Sequence, residues 1–194
     1  MQVLADIADL GKLEGPLHLA IGVFDGVHLG HRAVIEAAEE SAERGGGTGV
    51  VVTFDPHPVE VLSPERAPRL LTDAAHKLLV LAHVSGVRHV LLVRFDRDFA
   101  ALEGKDFVMS LVNAAPGKGI AKICVGHTWR FGRRRSGDVD LLERLEKEHG
   151  FCVSGVGTVE IAGQRVSSTR VREAVAEGDL ATAESLLGRP YSVF

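Results

Sequence analysis

Apolar residues along this chain fall into short unbroken runs, separated by longer stretches in which they recur at helical spacing. Leu17 to Phe24, Gly49 to Phe54, His89 to Val93 and Ile120 to Val125 are the runs, and each reads as a buried strand. Between them, His31 to Arg44, Asp73 to Ser85, Gly104 to Ala114 and Asp138 to His149 read as helices. The first of these sets Ala33, Val34, Ala37 and Ala38 at helical spacing and stops at Gly45-Gly46-Gly47. Phe151 to Ile161 is β-rich, with a hairpin turn at Ala162-Gly163. Two short helices follow, Thr169 to Glu177 and Leu180 to Leu187. Asp55-Pro56-His57-Pro58 is expected to be irregular, because two prolines exclude a central strand or a helix interior.

Strand and helix alternate, which predicts an α/β fold: a Rossmann-like parallel sheet with helices on both faces. Crossovers in such a sheet are right-handed. Ligands bind beyond the carboxyl ends of the strands, where the strand order reverses. The residues that follow each strand are therefore the ones to inspect for chemistry.

Composition narrows the picture. The chain has 194 residues and a formal net charge of −4, which suits one domain and argues against a general nucleic-acid coat. No apolar run approaches the roughly 20 residues that span a bilayer, and the N-terminus lacks the basic start of a signal peptide. No membrane role is expected. Cys124 and Cys152 each sit in an apolar run and read as buried, reduced thiols in strands, which fits a cytoplasmic protein.

After the first strand comes Gly22-Val-Phe-Asp-Gly-Val-His-Leu-Gly-His31. His28 and His31 lie three apart at a helix opening, where free N–H groups and the helix dipole attract phosphate. Gly26 and Gly30 let the backbone approach an anion, and imidazoles can donate to oxygens that gain charge at phosphorus. The alternatives are two solvated surface histidines or a zinc pair, and the latter lacks a third ligand at helical spacing. No P-loop occurs, and no G-x-G-x-x-G follows the first strand. After the fourth strand, Trp129, Arg130, Phe131, Arg133, Arg134 and Arg135 interleave rings with guanidiniums. A ring there can stack on a flavin or adenine, although a loop tryptophan is as often a core plug. Arg133 and Arg134 read as solvated. Further on, Val166-Ser-Ser-Thr-Arg-Val-Arg172 offers three hydroxyls where a helix cap needs one, and Arg170 and Arg172 oppose the helix dipole. A bound polyanion is expected to relieve that conflict.

GVFDGVHLGH, TFDPHP and SSTRVR together resemble the adenylyltransferase module of the bacterial bifunctional riboflavin kinase/FMN adenylyltransferase family, within the HxGH nucleotidyltransferase superfamily. The resemblance runs from about Leu17 to Val193. It implies an FMN adenylyltransferase (FAD synthetase) that moves AMP from ATP to FMN, with Mg²⁺ travelling on the ATP and few protein ligands for the metal. It implies catalytic roles for His28, His31 and Arg172. It places Gly22, Phe24, Asp25, Gly26, Gly30, Gly126, Ser167, Ser168 and Thr169 with them around ATP. It places Phe54, Asp55, Pro56, His57, Pro58, Thr128, Trp129, Phe131 and Arg135 around FMN. Thr128 and Trp129 stand where the family pattern carries Asn or Asp and Phe, and a threonine supplies neither carboxylate nor amide. Leu187-Gly-Arg-Pro-Tyr-Ser192 looks like the junction to a riboflavin kinase module, so a single domain over 1–194 without that module is expected.

Two other readings stay open. One is a flavin- and nucleotide-binding regulator with weakened catalysis, supported by Thr128. The other is a nucleotidyltransferase with a different phosphate-ester acceptor. The adenylyltransferase reading requires the paired histidines and the Ser-Ser-Thr segment to face one cavity. It also expects His28→Ala or Arg172→Ala to slow the reaction while leaving the fold intact.

Overall fold

A computed structural model describes residues 1–84 and 86–193. The elements are β1 (Gln2–Leu4), β2 (Leu17–Ile21), α1 (Leu29–Gly45), β3 (Thr48–Asp55), α2 (Pro58–Leu62), α3 (Ala74–Val84), β4 (His89–Arg94), α4 (Arg97–Ala100), α5 (Gly104–Ala114), β5 (Ile120–Gly126), α6 (Val139–His149), β6 (Cys152–Val156), β7 (Glu160–Ile161), β8 (Gln164–Arg165), α7 (Ser168–Glu177) and α8 (Leu180–Leu187). The predicted end, at Ser85, of the helix that starts at Asp73, and the end of the expected domain at Phe194, lie outside the described residues.

Six strands form one parallel sheet in the order β1-β4-β3-β2-β5-β6. β2 is central. The chain builds outward to β3 and β4 on one side, then returns to place β5 and β6 on the other. The order therefore reverses between β2 and β5, and a crevice opens beyond their carboxyl ends.

Side chains alternate across the sheet. Leu19, Ile21, Val50, Val52, Leu91 and Ile123 meet Phe107, Leu111, Leu142 and Leu145 from α5 and α6. Ala20, Val51, Val90 and Cys124 meet Val34, Ile35 and Ala38 of α1 and Val80 and Leu81 of α3. Central strands are buried on both faces, which is why they read as continuous apolar runs. A smaller cluster of Leu71, Val166, Val171, Leu186 and Leu187 seats α7 and α8.

Three local expectations change. Asp55 is the last residue of β3, and Pro58 opens α2 at a first-turn position where its missing N–H is not needed. β1 was not predicted, because three residues are too few to show a period; pairing Gln2 to Leu4 with His89 to Leu91 creates it. Cys124 is buried, but Cys152 is exposed at the start of the edge strand β6.

Candidate active site

The loop from Gly22 to His28 links β2 to α1. Gly26 has φ +79, and a Cβ there would meet the Leu71 side chain at 2.7 Å, so glycine is required by the turn. Phe24 and Val27 also hold positive φ, 51 and 42, an uncommon strain for such side chains. His28 then caps α1: its Nδ1 accepts the His31 backbone N–H at 3.2 Å. That bond puts the proton of the neutral His28 ring on Nε2, leaving an N–H to donate. The two rings stack with centroids 3.6 Å apart. A Cβ at residue 30 would lie 3.2 Å from the His28 ring, so Gly30 makes room for the ring. Burial pushes the His28 imidazole down to about 4 and the His31 imidazole well below its ordinary value. Both are neutral at neutral pH.

The Ser167-Ser168-Thr169 segment lies against this loop. Ser167 caps α7 by accepting the Arg170 N–H at 3.3 Å, and the Ser168 hydroxyl donates to the Asp25 carbonyl at 3.0 Å. The N-termini of α1 and α7 open onto one cavity of about 440 Å³. Of the residues assigned to ATP, Gly22, Phe24, His28, Gly30, His31, Gly126, Ser167, Ser168 and Thr169 line it, and Thr128 lines it too. The two separated segments thus share one cavity, as the adenylyltransferase reading required.

Asp25, Gly26 and Arg172 do not line that cavity. Arg172 pairs with the buried Asp25 carboxylate at 2.5 Å, and its Nε donates to the Arg69 carbonyl. Asp25 also accepts the Leu71 and Thr72 backbone N–H groups. Arg170 donates to the carbonyls of Gln164 and Arg165. The two arginines that seemed to oppose the α7 dipole are therefore satisfied within the protein, and no polyanion is needed to explain them. For the same reason Arg172→Ala would leave a buried carboxylate short of its cation.

A second cavity, about 360 Å³ and mainly apolar, adjoins the first. Phe54, Pro58, Trp129, Phe131 and Arg135 line it, as assigned to FMN. Asp55 and Pro56 are exposed and line neither cavity. His57 lines neither as well; its ring caps α2 by accepting the Val59 N–H at 3.2 Å. Trp129 stacks on Phe131 with centroids 4.4 Å apart. The cavities share Val23, Trp129, Arg130 and Arg135.

The profile of the FAD synthetase family matches residues 12–170. The chain belongs to the FAD synthetase family. It is 42% identical over 175 residues to the bifunctional riboflavin kinase/FMN adenylyltransferase of Escherichia coli K12, covering 90% of this chain and 55% of that protein. It is 40% identical over 193 residues to the enzyme of the same name from Pseudomonas fluorescens, covering 100% of this chain and 61% of that protein. The chain thus spans little more than half the length of the curated relatives it matches. A Streptococcus pneumoniae protein crystallised as a macrolide-efflux protein superposes with a TM-score of 0.80 at 26% identity, over 98% of this chain and 60% of that one. Among the described residues of this FAD synthetase family member, no helix is long and apolar enough to cross a membrane.

Several site residues of this family member escaped the sequence reading. Arg165 lines the larger cavity and donates to the Thr128 hydroxyl at 2.9 Å. That bond leaves the hydroxyl proton free for another acceptor. Phe95, Phe99 and Phe107 line the apolar cavity. Lys77 is buried, and its ammonium donates to the carbonyls of Val23 and Phe54 and to the Thr53 hydroxyl. None of these has a local motif. The one available signal was the number of phenylalanines spaced between Phe95 and Phe107.

Proposed function

We propose that this chain transfers AMP from ATP to FMN, forming FAD and releasing pyrophosphate. One observation carries the reading: a cavity of mixed polar and apolar lining between two helix N-termini adjoins an aromatic cavity, and the two share a wall. The first suits a polyphosphate, because unpaired backbone N–H groups and hydroxyls converge there. The second suits a flat, apolar ring system. A ring seated among Phe54, Phe95, Phe99 and Phe107 would send its phosphate tail toward the shared edge at Val23 and Arg130.

In this reading the FMN phosphate oxygen attacks the α-phosphorus of ATP, a new P–O bond forms, and the bond to the pyrophosphate breaks. The Nε2–H of His28 donates to oxygens that gain charge during attack. Ser167, Ser168, Thr169 and Arg165 line the polyphosphate side. Thr128 supplies a hydroxyl positioned by Arg165. Mg²⁺ carried on ATP would supply charge screening of the phosphates. A neutral histidine pair suits this step, since it needs fixed polar groups at the site and no proton to shuttle. The cytoplasmic setting expected from reduced thiols belongs to the same proposal.

The test is direct. Purified protein with FMN, ATP and Mg²⁺ is expected to yield FAD on chromatography, with pyrophosphate in equal amount. Tight binding of both substrates without FAD would favour the regulator reading. Release of pyrophosphate only with another acceptor would change the substrate.

A further inference from the structure

Lys77, on the first turn of α3, lines neither cavity but bonds the backbone of residues that do. It is 5% exposed. Its three N–H donors meet three neutral oxygens: the Phe54 carbonyl at 3.0 Å, the Val23 carbonyl at 3.2 Å and the Thr53 hydroxyl at 3.3 Å. Thr53 in turn donates its proton to the Val23 carbonyl at 2.9 Å. Lysine and threonine therefore clamp the loop after β2, at Val23, to the last residues of β3. Val23 lies in the wall common to both cavities, and Phe54 lines the aromatic one.

Its hydrogen-bond partners are uncharged, and although the carboxylates of Asp25 and Asp55 favour the ammonium, burial outweighs them, so keeping this charge inside is costly. Packing alone would be met by a methionine, whose stem fills similar space. What the ammonium adds is a three-point attachment between the loop after β2 and the end of β3, beside the wall that the two cavities share. Attack at phosphorus needs the two reacting atoms aligned, and an error of about 1 Å costs on the order of 100-fold in rate.

We infer that Lys77 is a positioning residue that fixes the shared wall of the two cavities, so that acceptor and donor meet in line. The inference rests on the adenylyl-transfer reading above. It assigns Lys77 a role in rate rather than in the affinity of either substrate, because the residue touches neither cavity.

The experiment compares Lys77→Met, Thr53→Val and Thr53→Ser with the unsubstituted protein, below the melting temperature of all four. FAD formation gives kcat and KM, and calorimetry with FMN confirms that each variant holds a formed site. Lys77→Met is expected to lower kcat about 100-fold, with both KM values within about threefold. Thr53→Val keeps the shape but removes the hydroxyl, and a loss of about tenfold in kcat is expected. Thr53→Ser keeps the hydroxyl and is expected to recover most of that loss. This pair carries the test if Lys77→Met does not fold. Unchanged kcat in Lys77→Met, a change confined to KM, or identical behaviour of the two threonine variants overturns the inference. Absence of FAD from the unsubstituted protein overturns the adenylyl-transfer reading and this inference with it. FAD from that protein alongside an unaffected Lys77→Met overturns this inference alone.

Discussion

His28 does two things with one ring. Nδ1 caps α1, and the ring, whose proton is then on Nε2, lines the larger cavity. Substitutions can separate the two. His28→Ala removes both, and is expected to cost about 1 kcal/mol of stability and about 100- to 1,000-fold in kcat. His28→Asn keeps a capping oxygen but places no donor where Nε2 was. It is expected to restore the stability and not the rate, as read by urea denaturation and FAD formation. A stable and fully active asparagine variant would remove the ring from the chemistry. Burial also makes this histidine a pH-dependent element of stability. Its folded value is about 4, against about 6.5 in the unfolded chain. As pH falls below about 6.5 the unfolded chain takes up a proton that the folded protein refuses until about 4. Stability is therefore full above that window and declines through it, by on the order of 3 kcal/mol from this group. The urea midpoint is expected to fall between about pH 7 and pH 4.5, and to fall less in His28→Asn.

At the scale of elements, α7 is tied to the sheet by charge as well as by packing. Val171 is buried with Leu186 and Leu187 of α8, while Arg172 crosses to Asp25 in the loop after β2. The carboxylate is 5% exposed and also holds the Leu71-Thr72 backbone. Arg172→Ala is expected to destabilise by about 3–5 kcal/mol, because it leaves a buried charge without its cation. Asp25→Asn combined with Arg172→Leu removes both charges and is expected to recover much of that loss. A Tm for Arg172→Ala equal to that of the unsubstituted protein would show the pair to be unimportant. The β7–β8 hairpin is held in the same economical way: Ala162 and Gly163 take positive φ at its turn, and Arg170 fastens its carbonyls. Both arginines of the SSTRVR motif thus serve the architecture around the cavity.

For the whole molecule, the decisive feature is the adjacency of two unlike cavities at the reversal of strand order. The single tryptophan, Trp129, borders both. Its fluorescence is expected to be quenched on titration with FMN, and changed again by ATP. A flat titration with both would argue that the cavities do not take these ligands. Phe99→Ala removes one ring from the apolar cavity and is expected to raise KM for FMN about tenfold, with KM for ATP within about twofold.

Much of this was legible in the chain alone. Strands at the centre of a parallel sheet are covered on both faces, so their apolar runs are unbroken and reveal the α/β order. The His28 and His31 pair and the Ser167 to Thr169 segment announced themselves, because the residues of one strand-to-helix turn are neighbours in sequence. Tertiary structure decided everything that depends on partners distant in the chain. It put Arg172 on Asp25 rather than in the cavity, brought Arg165 to Thr128, gathered Phe95, Phe99 and Phe107 into a ligand-sized space, and tied Lys77 to the backbone of the wall that the cavities share. Hydrophobic period and local motif report which face a residue presents. They carry no information on which charge or ring will stand opposite once six strands have been laid in order.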